Sequence, residues 1–313
     1  MLQSRRRPKR MRITWGDRLF FFMFLIPGIA LYLVFYYYPN ISSLIFALFD
    51  WNLGKLEKSA FVGLKFFERL LDEKDIILKC MGNNLFMSGF SILIGLLLAF
   101  FISGMVSSGK LKHAKDTQIY RSVMYFPNII PPVATAMLWS FIYSPVFGTM
   151  TPLLEALGLH NISATGMLGN VLSVKPAIIL MGVWGAVGFY FIILFSAMCN
   201  VPTDYGEAAA IDGAGEIRKF FVITLPLIAN SIRTLFLLGM AGMFSGGFIN
   251  ILVLTNGGPN RASETLTSYM YQQAFGMGMF GYGAAIGTLV FVLSVALYLI
   301  CSKLFSKGGV YEY

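Results

Sequence analysis

The sequence predicts an all-α, polytopic membrane protein with six transmembrane helices, and three observations predict it. Hydrophobic residues make up 57% of the 313 positions and charged residues only 12%, with a mean hydropathy of +0.70. An ordinary soluble domain carries about 25% charged residues, so a water-soluble fold would lack a surface. Apolar stretches long enough to cross a bilayer recur along the whole chain, and lysine and arginine gather on alternate sides of them.

A crossing helix needs about 20 mostly apolar residues, because hydrocarbon offers no partner to an open backbone group. Six segments qualify: residues 19–38, 84–107, 121–144, 176–200, 227–254 and 283–304. They divide the chain into a basic cytoplasmic N-terminus (1–18), a transmembrane domain (19–305) and a cytoplasmic tail (306–313). Residues 19–38 are too long for the apolar core of a secretory signal, and no small-residue cleavage site follows.

The net charge of +9 does not indicate a nucleic-acid partner, because Arg5, Arg6, Arg7, Lys9, Arg10, Arg12 and Arg18 all precede the first apolar run. With those on the cytoplasmic side, the same side receives Lys110, Lys112, Lys115, Arg121, Arg218, Lys219, Lys303 and Lys307. Both termini are therefore expected in the cytoplasm. The first outer loop, 39–83, balances its basic residues with Asp50, Glu57, Glu68, Asp72, Glu73 and Asp75.

Within that loop an amphipathic segment, about 61–79, spaces Phe61, Leu64, Phe67 and Leu71 along one helical face. It is expected to lie on the membrane or to meet a delivery protein. Tyr36, Tyr37 and Tyr38 end the first segment where an aromatic belt belongs. Pro127, Pro131 and Pro132 break the third segment, and Gly242, Gly246 and Gly247 loosen the fifth. Such breaks survive where neighbours or a watery path satisfy the backbone; for the glycines, close packing remains an equal alternative. Arg233, two turns into the fifth segment, can snorkel to the interface, with a role in gating as the alternative.

No catalytic constellation is present: the sequence has no phosphate-binding Gly-rich loop, no HExxH and no GxSxG. His113 and His160 have no metal-ligand neighbours, and Cys80, Cys199 and Cys301 have neither disulfide nor zinc spacing, which leaves packing as their expected role. Every carboxylate falls outside the apolar segments or at their ends, which speaks against proton- or sodium-coupled transport.

The stretch after the fourth segment, 203–226, is the most informative. Asp204 and Glu207 have capping-box spacing, Gly213 can end a short helix in the left-handed conformation, and Glu216 suits the first turn of a second helix reaching Pro226. This pattern gives two short angled helices beneath the membrane, with an ordinary interfacial elbow as the plain alternative. Glu207, Ala208, Ala209, Asp212, Gly213, Ile223, Leu225 and Pro226 together resemble the EAA loop of binding-protein-dependent ABC importer permeases, of MetI-like type I fold. Residues 254–259 (LTNGGP), with Glu264, Thr265, Leu266, Tyr269 and Tyr271, resemble the loop after the fifth helix in sugar permeases of the maltose and glycerol-phosphate (MalF/UgpA-like) type. Asn83 and Asn84 at the second segment fit the same order.

The resemblance implies a permease subunit in the bacterial plasma (inner) membrane that acts with a second homologous permease, two ATP-binding-cassette ATPase subunits and an extracytoplasmic solute-binding protein. ATP and magnesium would belong to the ATPase, with no cofactor and no metal in this chain. The cargo would be a neutral sugar or oligosaccharide. Carried over one position at a time, the sugar path would face Gly182, Trp184, Gly185, Ala186 and Phe189 on the fourth helix and Met240, Phe244 and Gly247 on the fifth. Several of these are polar in maltose-type permeases, so the paired subunit is expected to carry more of the contacts. The competing reading is a secondary transporter or channel for a small neutral solute, working without an ATPase.

Overall fold

In the computed structural model, residues 15–51, 60–107 and 114–306 are described. The basic cluster between Arg5 and Arg12, Glu57, Lys110, Lys112, His113, Lys307 and the tail lie outside them, as do the side chains of Arg18 and Lys115.

Five described helices are long and apolar enough to cross a membrane: Leu19–Phe46, Lys74–Ser107, Val174–Cys199, Glu216–Ala241 and Phe280–Phe305. The first consists of α1 (Trp15–Tyr32), a π turn (Leu33–Tyr37) and α2 (Tyr38–Phe46). It therefore continues eight residues beyond the tyrosines expected to end it. Pro39 explains the π turn: a proline ring clashes with the carbonyl four residues back, and a wider turn gives it room.

Two two-residue strands, β1 (Phe49–Asp50) and β2 (Ala60–Phe61), pair antiparallel. They are followed by α3 (Lys65–Asp72) and α4 (Lys74–Ser107). The amphipathic segment is thus shorter than expected, and its buried face is rotated. Phe66 and Leu70 are buried, Phe67 is half-buried, and Leu64 and Leu71 are exposed, while Phe61 belongs to β2. The reason is tertiary: α3 docks its Phe66 ring 6.0 Å from Tyr282 on the last helix.

The third segment is not one helix. It forms α5 (Ala114–Ile129) and α6 (Pro132–Ile142), because Pro131 takes an extended conformation (φ −54°, ψ 139°) between them. This broken pair stands beside the five long helices and completes the set of six apolar segments. Short helices α7 (Met150–Ala156) and α8 (His160–Gly169) lead to α9 (Val174–Cys199) and then α10 (Thr203–Ile211).

The expected capping box at Asp204 does not form. The helix begins one residue earlier behind extended Pro202, and no side chain caps it. Nor is the expected second short helix a separate element. α11 (Glu216–Lys219), a π turn (Phe220–Thr224), α12 (Leu225–Leu227) and α13 (Ala229–Ala241) form one rod, so that stretch is the beginning of the fifth span. As at Pro39, the π turn precedes a proline, Pro226, and lets it sit inside the rod. The rod stops at Ala241, turns over residues 242–247 and restarts as α14 (Phe248–Leu254). α15 (Leu266–Tyr271) and α16 (Phe280–Ser306) complete the fold.

α4 is the central mast. Its Met87 joins a cluster with Trp139, Ile178, Met181 and Ile251, and its Leu96 and Phe100 join another with Tyr190, Phe191 and Leu194. Near α3, Ile77 and Cys80 pack with Leu266, Tyr282 and Ile286. Cys80 and Cys301 are buried packing residues as expected, but Cys199 is exposed at the end of α9. No described side chain of α1 is buried, and α2 lies against α16.

Candidate functional site

The two helix breaks meet one cavity. It holds about 380 Å³ among α4, α5, α9, α13 and α14, within the range of roughly 300–1,000 Å³ typical of small-molecule sites. Gly182, Ala186, Phe189 and Gly247 line it. The other four expected path residues do not. Trp184 packs edge-on against Trp139 at 5.7 Å, the Gly185 carbonyl accepts a hydrogen bond from Asn128 Nδ2 at 3.1 Å, and Met240 and Phe244 are buried in packing clusters. Gly242, Gly246 and Gly247 all border the cavity, so for these glycines the cavity and not close helix packing is the local reason. Gly247 has φ +76°, a left-handed conformation open to glycine at little cost, and it is the N-cap from which α14 starts.

The wall also carries polar groups that the carried-over set lacks: Ser88 and Ser91 on α4, Asn128 on α5, Asn250 on α14, and Thr265. None of the cavity's lining residues is charged. A readable signal existed for the two asparagines, since each is an amide inside an apolar segment within a few residues of a helix breaker.

At the far end of α9 lies the elbow. Gly213 has φ +78°, the Gly213 N–H reaches the Ala210 carbonyl at 3.1 Å, and the Ala214 N–H reaches that of Ala209 at 2.9 Å. Paired bonds of this kind close a helix end. No residue of α10 is buried. Glu207, Ala208 and Asp212 are exposed and Ala209 is half-buried. Ile211 and Ile217, at 88% and 77% exposure, project from the elbow. A cleft between α10 and the foot of the rod is lined by Glu207, Ala210, Glu216, Lys219 and Ile223, with Lys219 Nζ 2.9 Å from Glu216 Oε1. Leu225 packs on the α4–α9 cluster, while Pro226 remains exposed. Small residues and the exposed carboxylate of Glu207 on an unburied helix fit a surface made for another protein.

At the opposite end lies a polar knot. The loop from Thr255 to Thr265 folds on itself: Ser263 Oγ donates to the Gly258 carbonyl at 2.6 Å, and the Ala262 N–H donates to the Pro259 carbonyl at 2.8 Å. α4 holds it through Lys79 Nζ to the Asn260 carbonyl (2.7 Å), and through Asn83 Nδ2 to the carbonyls of Arg261 (3.0 Å) and Glu264 (2.8 Å). Asn84 joins the loop to the fifth-helix break, donating to the Met243 carbonyl at 3.3 Å and accepting from the Leu266 N–H at 2.9 Å. Thr265 and Ser268 cap α15 reciprocally.

Beside the knot, Glu73 accepts from Arg69 (2.8 Å), Tyr269 (2.5 Å) and Tyr282 (2.7 Å). Burial alone would raise its pKa, but hydrogen bonds from both tyrosines and Arg69, with the Arg69 charge, hold it below the usual carboxylate range. Glu264 goes the other way: burial pushes it up, and Arg261, 3.2 Å away, only partly offsets this.

Residues 91–308 match the family described as "Binding-protein-dependent transport system inner membrane component". The chain is 30% identical over 311 residues to a diacetylchitobiose uptake system permease protein of Streptomyces coelicolor, covering 96% of this chain and 87% of that one. It is also 30% identical to a probable ABC transporter permease protein of Bacillus subtilis (92% and 96%). To the sn-glycerol-3-phosphate transport system permease protein of Yersinia enterocolitica it is 29% identical (89% and 91%). Among solved structures, a bacterial ABC transporter that imports the acidic polysaccharide alginate superposes with a TM-score of 0.80 at 22% identity, over 94% of this chain and 97% of that one. The alginate transporter in complex with a pentasaccharide-bound periplasmic protein gives 0.78 at 23%, over 96% and 100%. With that fold, cavity and elbow in one chain, this protein belongs to the inner-membrane permease family of binding-protein-dependent ABC transporters.

Proposed function

We propose that the chain is one of two permease subunits enclosing a path for a neutral mono- or oligosaccharide. An extracytoplasmic solute-binding protein delivers the cargo, and two ATP-binding-cassette ATPases drive import. The observation that carries the neutral cargo is the uncharged cavity wall. A phosphate or uronate entering it would lose hydration with no counter-charge from this subunit, whereas Phe189 and Tyr190 offer the aromatic faces on which a sugar ring stacks. The same wall supplies no carboxylate for proton or sodium coupling, so nothing favours a carrier acting without an ATPase.

The α10 end faces the cytoplasm in this reading, supported by Arg121, Arg218, Lys219 and Lys303 at that end. The ATPase holds α10 through Glu207, Ala208, Ala209 and Asp212, with Gly213 shaping the turn and Ile223, Leu225 and Pro226 seating the foot of the rod. Closure of the ATPases pushes α10, and the rod from Glu216 to Ala241, about 39 Å at 1.5 Å per residue, carries the push to Gly242 at the cavity. Alternating access results as the two permeases rock. Purifying the chain from its native membrane tests this. A second permease, an ATPase and a binding protein with an uncharged saccharide ligand are expected to accompany it. A chain that purifies alone and still moves solute along an ion gradient would overturn the reading.

A further inference from the structure

We propose that Asn84 is a positioning residue that joins delivery outside to ATP hydrolysis inside, by tying the outer loop to the break in the fifth span. The inference rests on the importer reading above and concerns how the break is moved. Asn84 has no exposed surface, and its amide meets two remote segments. Nδ2 donates to the Met243 carbonyl inside the break at 3.3 Å, and Oδ1 accepts from the Leu266 N–H at 2.9 Å, where the loop ends and α15 begins. An amide suits this place because it carries a donor and an acceptor on one rigid plane.

The loop is stiff and its tip is exposed. Ser263 and Ala262 bond back to Gly258 and Pro259 within it, while Asn256, Asn260 and Arg261 face outward. Lys79 and Asn83, on the same stretch of α4 as Asn84, grip the carbonyls of Asn260, Arg261 and Glu264. Loop, α4 and the Met243 carbonyl therefore move as one body. The break thus has two holds: the rod from the elbow ends at Ala241, and Asn84 takes Met243 two residues later. Glycines at 242, 246 and 247 leave the backbone of the break free to bend. Without the Asn84 amide the loop would move and the break would not follow.

In proteoliposomes holding the whole transporter, ATP hydrolysis is measured against rising concentrations of the binding protein, charged with whichever of maltose, cellobiose or N,N′-diacetylchitobiose it retains. For wild type, Asn84→Leu, Asn84→Ser and Asn83→Leu, the saturated rate is divided by the rate without binding protein, which cancels the amount of folded transporter. Asn84→Leu is expected to lower this ratio by about 5-fold or more, the low end of coupling between two sites, with the half-saturating concentration unchanged. Asn84→Ser, whose one short hydroxyl cannot span both partners, is expected to lower it too and carries the test if the leucine variant does not fold. Asn83→Leu loosens the loop but leaves both Asn84 bonds, and its ratio should stay near that of wild type. An unchanged ratio in both Asn84 variants, whatever happens to the rates themselves, would overturn the proposal and leave Asn84 a structural bond alone. So would a loss seen only below saturation, which is a loss of docking, or an equal loss in Asn83→Leu, which would assign the role to the loop. A wild type whose hydrolysis ignores its binding protein would instead overturn the importer reading beneath it.

Discussion

Asn84 shows how a single side chain can hold a broken membrane helix. The turn at 242–247 frees backbone groups that hydrocarbon cannot satisfy, and Asn84 takes the Met243 carbonyl with one end of its amide and the Leu266 N–H with the other. Asn84→Leu leaves both unmet at roughly 1–3 kcal/mol each, so the melting temperature of the purified transporter should fall well beyond that of a surface control such as Thr234→Ala. Glu73 sets a pH dependence. Its folded pKa lies below its unfolded one, so its stabilisation is present above the ordinary carboxylate range and is lost as pH falls through that range, near 4, and below it. The melting difference between wild type and Glu73→Gln should therefore shrink on acidification. Glu264, held high, moves oppositely but equally in both proteins and cancels. At this scale the sequence marked Asn83 and Asn84 at the start of the second segment, in the order that the resemblance gives. It could not name their partners, because the Leu266 amide is 182 positions beyond Asn84.

Among elements, the rod from Glu216 to Ala241 is the one that links the elbow to the cavity, and hydropathy placed its start eleven residues too late. Glu216, Arg218 and Lys219 read as an aqueous helix, and Pro226 read as a beginning. Charge does not interrupt a helix, however, and a π turn accommodates the proline. The long apolar spans were legible because 20 apolar residues have few other fates. The rotation of α3 was not, because its buried face is decided by α16. The coupling role proposed for the elbow depends on its shape, which Gly213 sets at φ +78°. Gly213→Val strains that turn, and Glu207→Ala removes the exposed carboxylate. In reconstituted transporter each should reduce solute uptake and binding-protein-stimulated ATP hydrolysis together; unchanged values for both variants would remove the elbow from the coupling path.

As a whole, in the reading proposed above, the molecule is half of a path. The described side chains of α1 lie on the surface, and the cavity wall combines the continuous helix α4 with helices that are interrupted or carry glycine where they meet it. Four of the eight inherited sugar-path residues line the cavity, and its polar groups come from other positions. A sequence gives the order of helices along the chain, but the breaks decide which residues turn inward. The central claim is ATP-driven import of a neutral saccharide through this subunit. It is tested most directly by measuring accumulation in proteoliposomes holding the complete transporter and ATP, with N,N′-diacetylchitobiose, maltose and cellobiose offered beside sn-glycerol 3-phosphate and alginate oligosaccharides. ATP-dependent accumulation of a neutral sugar and exclusion of both anions is the predicted result. Accumulation of either anion in preference to every neutral sugar, or uptake that does not need ATP, would contradict it.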